Sequence, residues 1–153
     1  MARDRLYLDH AATTPVLPEA RVAIADALER WANPSSPHAD GRAARAALEE
    51  ARVRIAEALG WRHDVILTSG ASEAIAIAAA RAKVPGRSRG PTEHDAVVAA
   101  MGPTAVQMLV DENGVADPDV IKSELAEGPA LIAIQHVNNE TGVIQPIAEV
   151  AAL

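Results

Sequence analysis

A chain of 153 residues with a net charge of −7, 49% hydrophobic residues and no cysteine excludes several classes at once. It has neither a disulfide framework nor a thiolate metal site, and it lacks the basic surface with which a general nucleic-acid binder engages phosphates. No apolar run approaches the about 18–20 residues that span a bilayer, and Met1–Asp9 holds no apolar stretch of signal-peptide length, so a cytoplasmic, non-membrane protein is the default expectation.

The length suits one sizeable core. Two Trp, one Tyr and no Phe mean that this core must be built from Ala, Leu, Ile and Val. In chain order, the first fifteen residues show no helical period and read as an extended arm ending in Pro15. Pro18 suits a first helical position, and Val22, Ala25, Leu28 and Trp31 recur at helical spacing, which predicts a helix over 18–31. Asn33-Pro34-Ser35-Ser36-Pro37 breaks it. A longer helix is predicted over 41–59, with Ala44, Leu48, Ala51, Ile55 and Leu59 as one apolar stripe, Glu50 and Arg54 as an i,i+4 pair and Gly60 as the C-cap.

Val65-Ile66-Leu67 reads as a short buried strand running into an Ala-rich helix over 72–83. Residues 84–91 read as a loop, with Arg87-Ser88-Arg89 a solvated basic stretch. A short helix over 95–101, a strand over 105–110 and a turn at Asp111-Glu112-Asn113-Gly114 follow. Asp117 caps a helix that has Pro118 at its first position and runs to about Glu127. Residues 130–137 form an almost continuous apolar run, as a strand covered on both faces would, and Pro146 opens a last helix. Strands alternating with helices predict an α/β fold with a mainly parallel sheet.

Three places can carry chemistry. At Thr68-Ser69-Gly70-Ala71-Ser72-Glu73 a strand ends and a helix begins, so free N–H groups and the positive end of a helix dipole can face a phosphate. The Ser72 hydroxyl can add a hydrogen bond; taken alone, Ser69 or Ser72 serves as a helix cap. His94 sits on a predicted loop, where an imidazole can stack on a planar cofactor and relay protons, or stand as an ordinary loop histidine. Asn138 and Asn139 lie at the carboxyl end of a predicted strand, where open α/β sheets gather their ligands, and Asn is equally a turn former. His10, His38, His63, His94 and His136 are scattered without a metal-ligand spacing, so no metal site is expected.

Taken together and in order, the motifs resemble the cysteine desulfurases of the class V aminotransferase group. They are Tyr7-Leu8-Asp9-His10-Ala11-Ala12-Thr13-Thr14-Pro15, Asn33-Pro34-Ser35-Ser36, Thr68-Ser69-Gly70-Ala71-Ser72-Glu73, Thr92-Glu93-His94 and Asn138-Asn139-Glu140-Thr141-Gly142-Val143-Ile144-Gln145. The resemblance runs from about Leu6 to Ile147 and corresponds to the N-terminal part of such an enzyme. It implies a partial large domain of the aspartate aminotransferase-like fold (fold type I of the enzymes that use pyridoxal phosphate). An arm over 1–17, helices over 18–60 and an incomplete cofactor-binding α/β domain over 61–153 follow. The implied cofactor is pyridoxal 5'-phosphate, with Ala71 and Ser72 on its phosphate, His94 stacked on the ring and aiding proton transfer, and Asn139 at the ring's hydroxyl side.

The implied reaction converts L-cysteine to L-alanine, passing sulfur to an enzyme persulfide for iron–sulfur cluster assembly or other sulfur transfer. The family works as a homodimer and hands its sulfur to an acceptor or scaffold protein. In that family the lysine that carries the cofactor lies in a Ser-x-His-Lys segment, beyond the stretch that matches here. Only Lys83 and Lys122 are present, neither in a matching motif, and no cysteine can accept sulfur. The isolated chain is therefore expected to be inactive. Two further readings stay open: a non-catalytic remnant that pairs with a full desulfurase or scaffold, and a related enzyme such as a selenocysteine lyase. The strand that usually precedes Thr-Glu-His is expected to be replaced by Pro85-Gly86-Arg87-Ser88-Arg89-Gly90.

Overall fold

A computed structural model describes residues 6–153. The chain divides into two compact units, one of residues 15–68 and the other joining residues up to 14 with 69–153.

Residues 15–68 hold two helices, α1 (Pro18–Glu29) and α2 (Ala39–Ala58). Pro18 opens α1 as predicted. The second helix begins two residues earlier than the apolar pattern implies, because the His38 ring accepts the N–H of Gly41 and caps it. Gly41 is required at that point: a Cβ there would lie 2.4 Å from the Ser36 carbonyl oxygen and 2.8 Å from that of Asn33. Of the predicted stripe, Ala44, Leu48 and Ala51 are half-buried, whereas Ile55 and Leu59 are exposed. Glu50 and Arg54 stand 3.9 Å apart on the wet side, where such a pair contributes little. Val65-Ile66-Leu67 does not form a strand, and Ile66 is 73% exposed. An apolar run becomes a strand only when a neighbour takes its backbone groups, and the sheet is built from other residues.

In the other unit, the stretch that reads as an extended arm contains a turn at residues 10–12, closed by the Tyr7 hydroxyl donating to the Thr13 carbonyl at 3.1 Å. The elements that follow are α3 (Ala71–Arg81), β1 (Gly86–Arg89), α4 (Asp95–Met101), β2 (Val106–Gln107), α5 (Pro118–Ala126), β3 (Ala130–Ala133) and α6 (Ile147–Val150). The sheet is wholly parallel, in the order β2-β1-β3. The stretch expected to be a basic loop is thus the central strand. Its polar sequence hid it; pairing on both sides creates it. Gly86 lets β1 approach β3, since a Cβ there would meet that of Ala130 at 2.8 Å.

Each face of the sheet carries a core. Ala79, Val97 and Met101, from α3 and α4, pack with Leu131 and Ala133. Met108, Ala116 and Ile121 pack with Ile132 and Ile134 on the opposite face. Alternation along β3 sends its side chains into both layers, as a strand covered on two faces requires. The arginines of β1 share the first face by register, and Arg87 donates to the Ala79 carbonyl at the end of α3 at 2.8 Å. Among the described residues, no helix is long and apolar enough to cross a membrane.

Candidate functional site

The C-terminal ends of β1 and β3 lead to the two loops of interest, as the topology of a parallel sheet demands. The strand β1 continues through Gly90 into Pro91-Thr92-Glu93-His94, and β3 continues to Asn138-Asn139-Glu140. These loops enclose a polar cleft of about 470 Å³, lined by residues that include Thr92, Glu93, His94, Gln135, Asn138 and Asn139.

His94 is not a free loop residue. It is the N-cap of α4, and its Nδ1 accepts the Ala96 N–H at 3.0 Å. With Nδ1 used as acceptor, the neutral ring carries its proton on Nε2. The ring remains exposed.

Asn138 and Asn139 have opposite roles. Asn138 is only 6% exposed. Its Oδ1 accepts from the N–H groups of Glu140 and Thr141, at 2.9 and 2.7 Å, and from the Thr141 hydroxyl. Its Nδ2 donates to the Thr92 carbonyl at 3.0 Å. It shapes the turn on which Asn139 stands. Asn139 is exposed, and among the described residues its side-chain amide has no protein partner.

Glu93 carries a signal that the sequence reading passed over. Burial raises its carboxyl pKa, opposed by the Gln135 N–H and by the charge of Arg89. The burial has a visible origin, because Glu93 also borders an apolar cavity of about 390 Å³ against Ile75, Val97, Met101 and Leu131.

Ala71 and Ser72 lie elsewhere, in the exposed first turn of α3, and are not among the residues lining the cleft. Neither Ser69 nor Ser72 caps the helix. Instead Glu73 reaches back: its Oε2 accepts from the Ser69 N–H at 2.6 Å and the Ser69 hydroxyl at 2.8 Å. These bonds lower the Glu73 pKa, the backbone one most. The amides of Ala71, Ser72 and Glu73 precede the first helical bond, Ala74 N–H to the Gly70 carbonyl, and point to no protein acceptor among the described residues.

The two parts of the site thus offer different groups. The start of α3 presents amide donors and a hydroxyl at a positive helix end, and the cleft presents an imidazole and a primary amide. Neither Lys83 nor Lys122 lines the cleft, and both are exposed.

A parallel α/β unit with a polar cleft at the carboxyl ends of its strands defines the class, and comparison with known proteins defines the family. The sequence pattern of the aminotransferase class-V family matches residues 6–153. This chain belongs to that family. It is 38% identical over 162 residues to the cysteine desulfurase IscS of Dictyoglomus turgidum, an alignment that covers 97% of this chain and 41% of that protein. Among solved structures, a NifS-like protein from Rickettsia africae superposes with a TM-score of 0.83 at 30% identity, covering 95% of this chain and 43% of the other. SspA in complex with cysteine superposes with a TM-score of 0.77 at 27% identity, covering 95% and 46%. The chain therefore spans less than half the length of each of these proteins, and the fold is that of the NifS-like proteins.

Proposed function

We propose that this chain forms the phosphate- and ring-binding part of a pyridoxal 5'-phosphate-dependent cysteine desulfurase, acting in the cytoplasm as a homodimer in its full-length form. The substrate would be L-cysteine, the product L-alanine, and the sulfur would pass to a persulfide and on to an acceptor for iron–sulfur cluster assembly. One observation carries the reading: the sheet brings His94 and Asn139, far apart in sequence, to one cleft with their polar side chains exposed.

The residues present fit the cofactor in kind. The amides of Ala71 and Ser72, with the Ser72 hydroxyl, would bind its phosphate at the positive end of α3. The face of the His94 ring would lie against the pyridine, with the Nε2 proton available as a donor. The Asn139 amide would donate to the ring's hydroxyl oxygen. When bound, the cofactor supplies an electron sink for charge developing beside the substrate amine. In the observed geometry the Nδ1 of His94 is occupied by the Ala96 N–H. To accept a proton there, it would have to release the cap of α4.

The chain has no cysteine and no lysine in the cleft, so it supplies neither the sulfur acceptor nor a covalent tether. The test is a titration of the 153-residue chain with pyridoxal 5'-phosphate, followed by absorbance. We expect saturable binding that weakens in Asn139→Ala and in His94→Asn, the latter keeping a capping oxygen while losing the ring. L-cysteine should yield no sulfide above a blank. Binding that ignores both substitutions, or sulfide from the pure chain, would overturn the reading.

A further inference from the structure

The segment that carries His94 is tied to the end of β3 by groups distant in sequence. The Thr92 carbonyl accepts from two side-chain amides, Gln135 Nε2 and Asn138 Nδ2. In the other direction, Glu93 Oε1 accepts the backbone N–H of Gln135 at 2.8 Å. All three bonds engage the two residues immediately before His94. Asn138 also fixes the turn that presents Asn139, so a single side chain serves both walls of the cleft. Gly90 gives Glu93 its room, for a Cβ at that position would lie 2.7 Å from Oε1.

We infer that Gln135, Asn138 and Glu93 are positioning residues, which set the spacing of His94 and Asn139 across the cleft before a ligand arrives. The inference rests on the reading that the cleft takes the cofactor ring. Its physical basis is separate: groups held in place beforehand lose less freedom on binding, and a site on a loop needs a supporting layer to hold its geometry. The bonds to Thr92 and Glu93 hold the backbone of the His94 segment, while the bond to Ala96 holds its ring.

The test uses the 153-residue chain and Gln135→Ala, which removes one amide from the Thr92 carbonyl and leaves the buried Asn138 intact. Ala96 amide exchange reports the His94 cap, and the imidazole nitrogen resonances report its tautomer. One lost hydrogen bond should speed Ala96 exchange and weaken pyridoxal 5'-phosphate binding by about fivefold each, with the thermal midpoint unchanged within about 3 °C. Gln135→Glu should regain the parent's behaviour only as pH falls, because a carboxyl donates to Thr92 only when protonated. Unchanged Ala96 exchange and imidazole resonances in Gln135→Ala would overturn the inference, as would a parent chain whose Gln135 amide exchanges without protection. A parent that binds no cofactor, yet loses the His94 cap in Gln135→Ala, would remove the cofactor reading and leave the positioning role standing.

Discussion

Across residues 15–68 the only buried residue is Gly41, whereas residues 69–153 bury Ala79, Val97, Met101, Met108, Ala116 and Ile121 in two clusters. Both stretches are rich in small apolar side chains, so composition does not explain the contrast. Layering does. A helix pair covers one strip of each helix, and the rest of the apolar surface stays wet unless a third element packs on it. Leu28, Trp31 and Leu59 are 66%, 79% and 75% exposed. Even the strip between α1 and α2 is poorly filled, with a groove of about 450 Å³ lined largely by alanines beside Trp31 and Leu48. A sheet has two faces, and here α3 and α4 pack on one while α5 packs on the other. The three-stranded unit buries apolar clusters on both faces of its sheet, whereas the two-helix unit leaves most of its apolar residues exposed.

The contrast can be broken most directly at Ile121, which is 1% exposed. Ile121→Ala should cost about 2–5 kcal/mol of unfolding free energy, read by urea denaturation. A loss no larger than that of an exposed leucine would mean that the second cluster is not a working core. Next comes Gly41→Ala, where the added methyl meets two carbonyl oxygens. It should cost about 1–3 kcal/mol and show as early loss of helical circular dichroism from residues 15–68. A neutral result would mean that the loop at 33–38 yields freely.

A smaller effect should separate the cleft from the helical unit by pH. The raised pKa of Glu93 means that the folded chain keeps a proton which the unfolded chain has released. Stability from this group is therefore greatest at low pH. It falls as pH rises from the ordinary carboxyl value of 4.5 through the raised one. Glu93→Gln removes that slope while keeping an acceptor oxygen for the Gln135 N–H. The difference between parent and variant in thermal midpoint should shift in the variant's favour across this window; a constant difference would show that Glu93 does not titrate as its burial implies. Smallest of all, Leu28→Ser should change stability by no more than about 0.5 kcal/mol, yet reduce self-association in sedimentation, because it removes exposed apolar surface without opening a core.

Two residues that line the candidate cleft, His94 and Asn139, were legible because they sit in local motifs. Pro118 behind the Asp117 cap gave the start of α5, and His94 and Asn139 could be singled out from the loops that follow apolar or capped segments. The turn-forming role of Asn138 was legible, but Glu93, Gln135 and the bond from Asn138 to Thr92 were not. Their partners lie more than forty residues away, and nothing local marks a glutamine as the second donor to a distant carbonyl. The motif Thr92-Glu93-His94 did quote Glu93, and a carboxylate beside a candidate ligand residue was the one available hint.

The amino-acid sequence by itself determined where most helices begin, since prolines, caps and the 3.6-residue period act through neighbours in the chain. It also determined the family, through motifs kept in order. The runs at 105–110 and 130–137 marked where β2 and β3 form, but tertiary structure decided the remaining strand assignments. Gly86-Arg87-Ser88-Arg89 is a central strand because β2 and β3 flank it, and Val65-Ile66-Leu67, apolar with two β-branched residues, is no strand at all. Helices satisfy their backbone within one segment, whereas a strand needs hydrogen bonds from another segment. The same dependence on distant partners decided that the two loops would meet in one cleft.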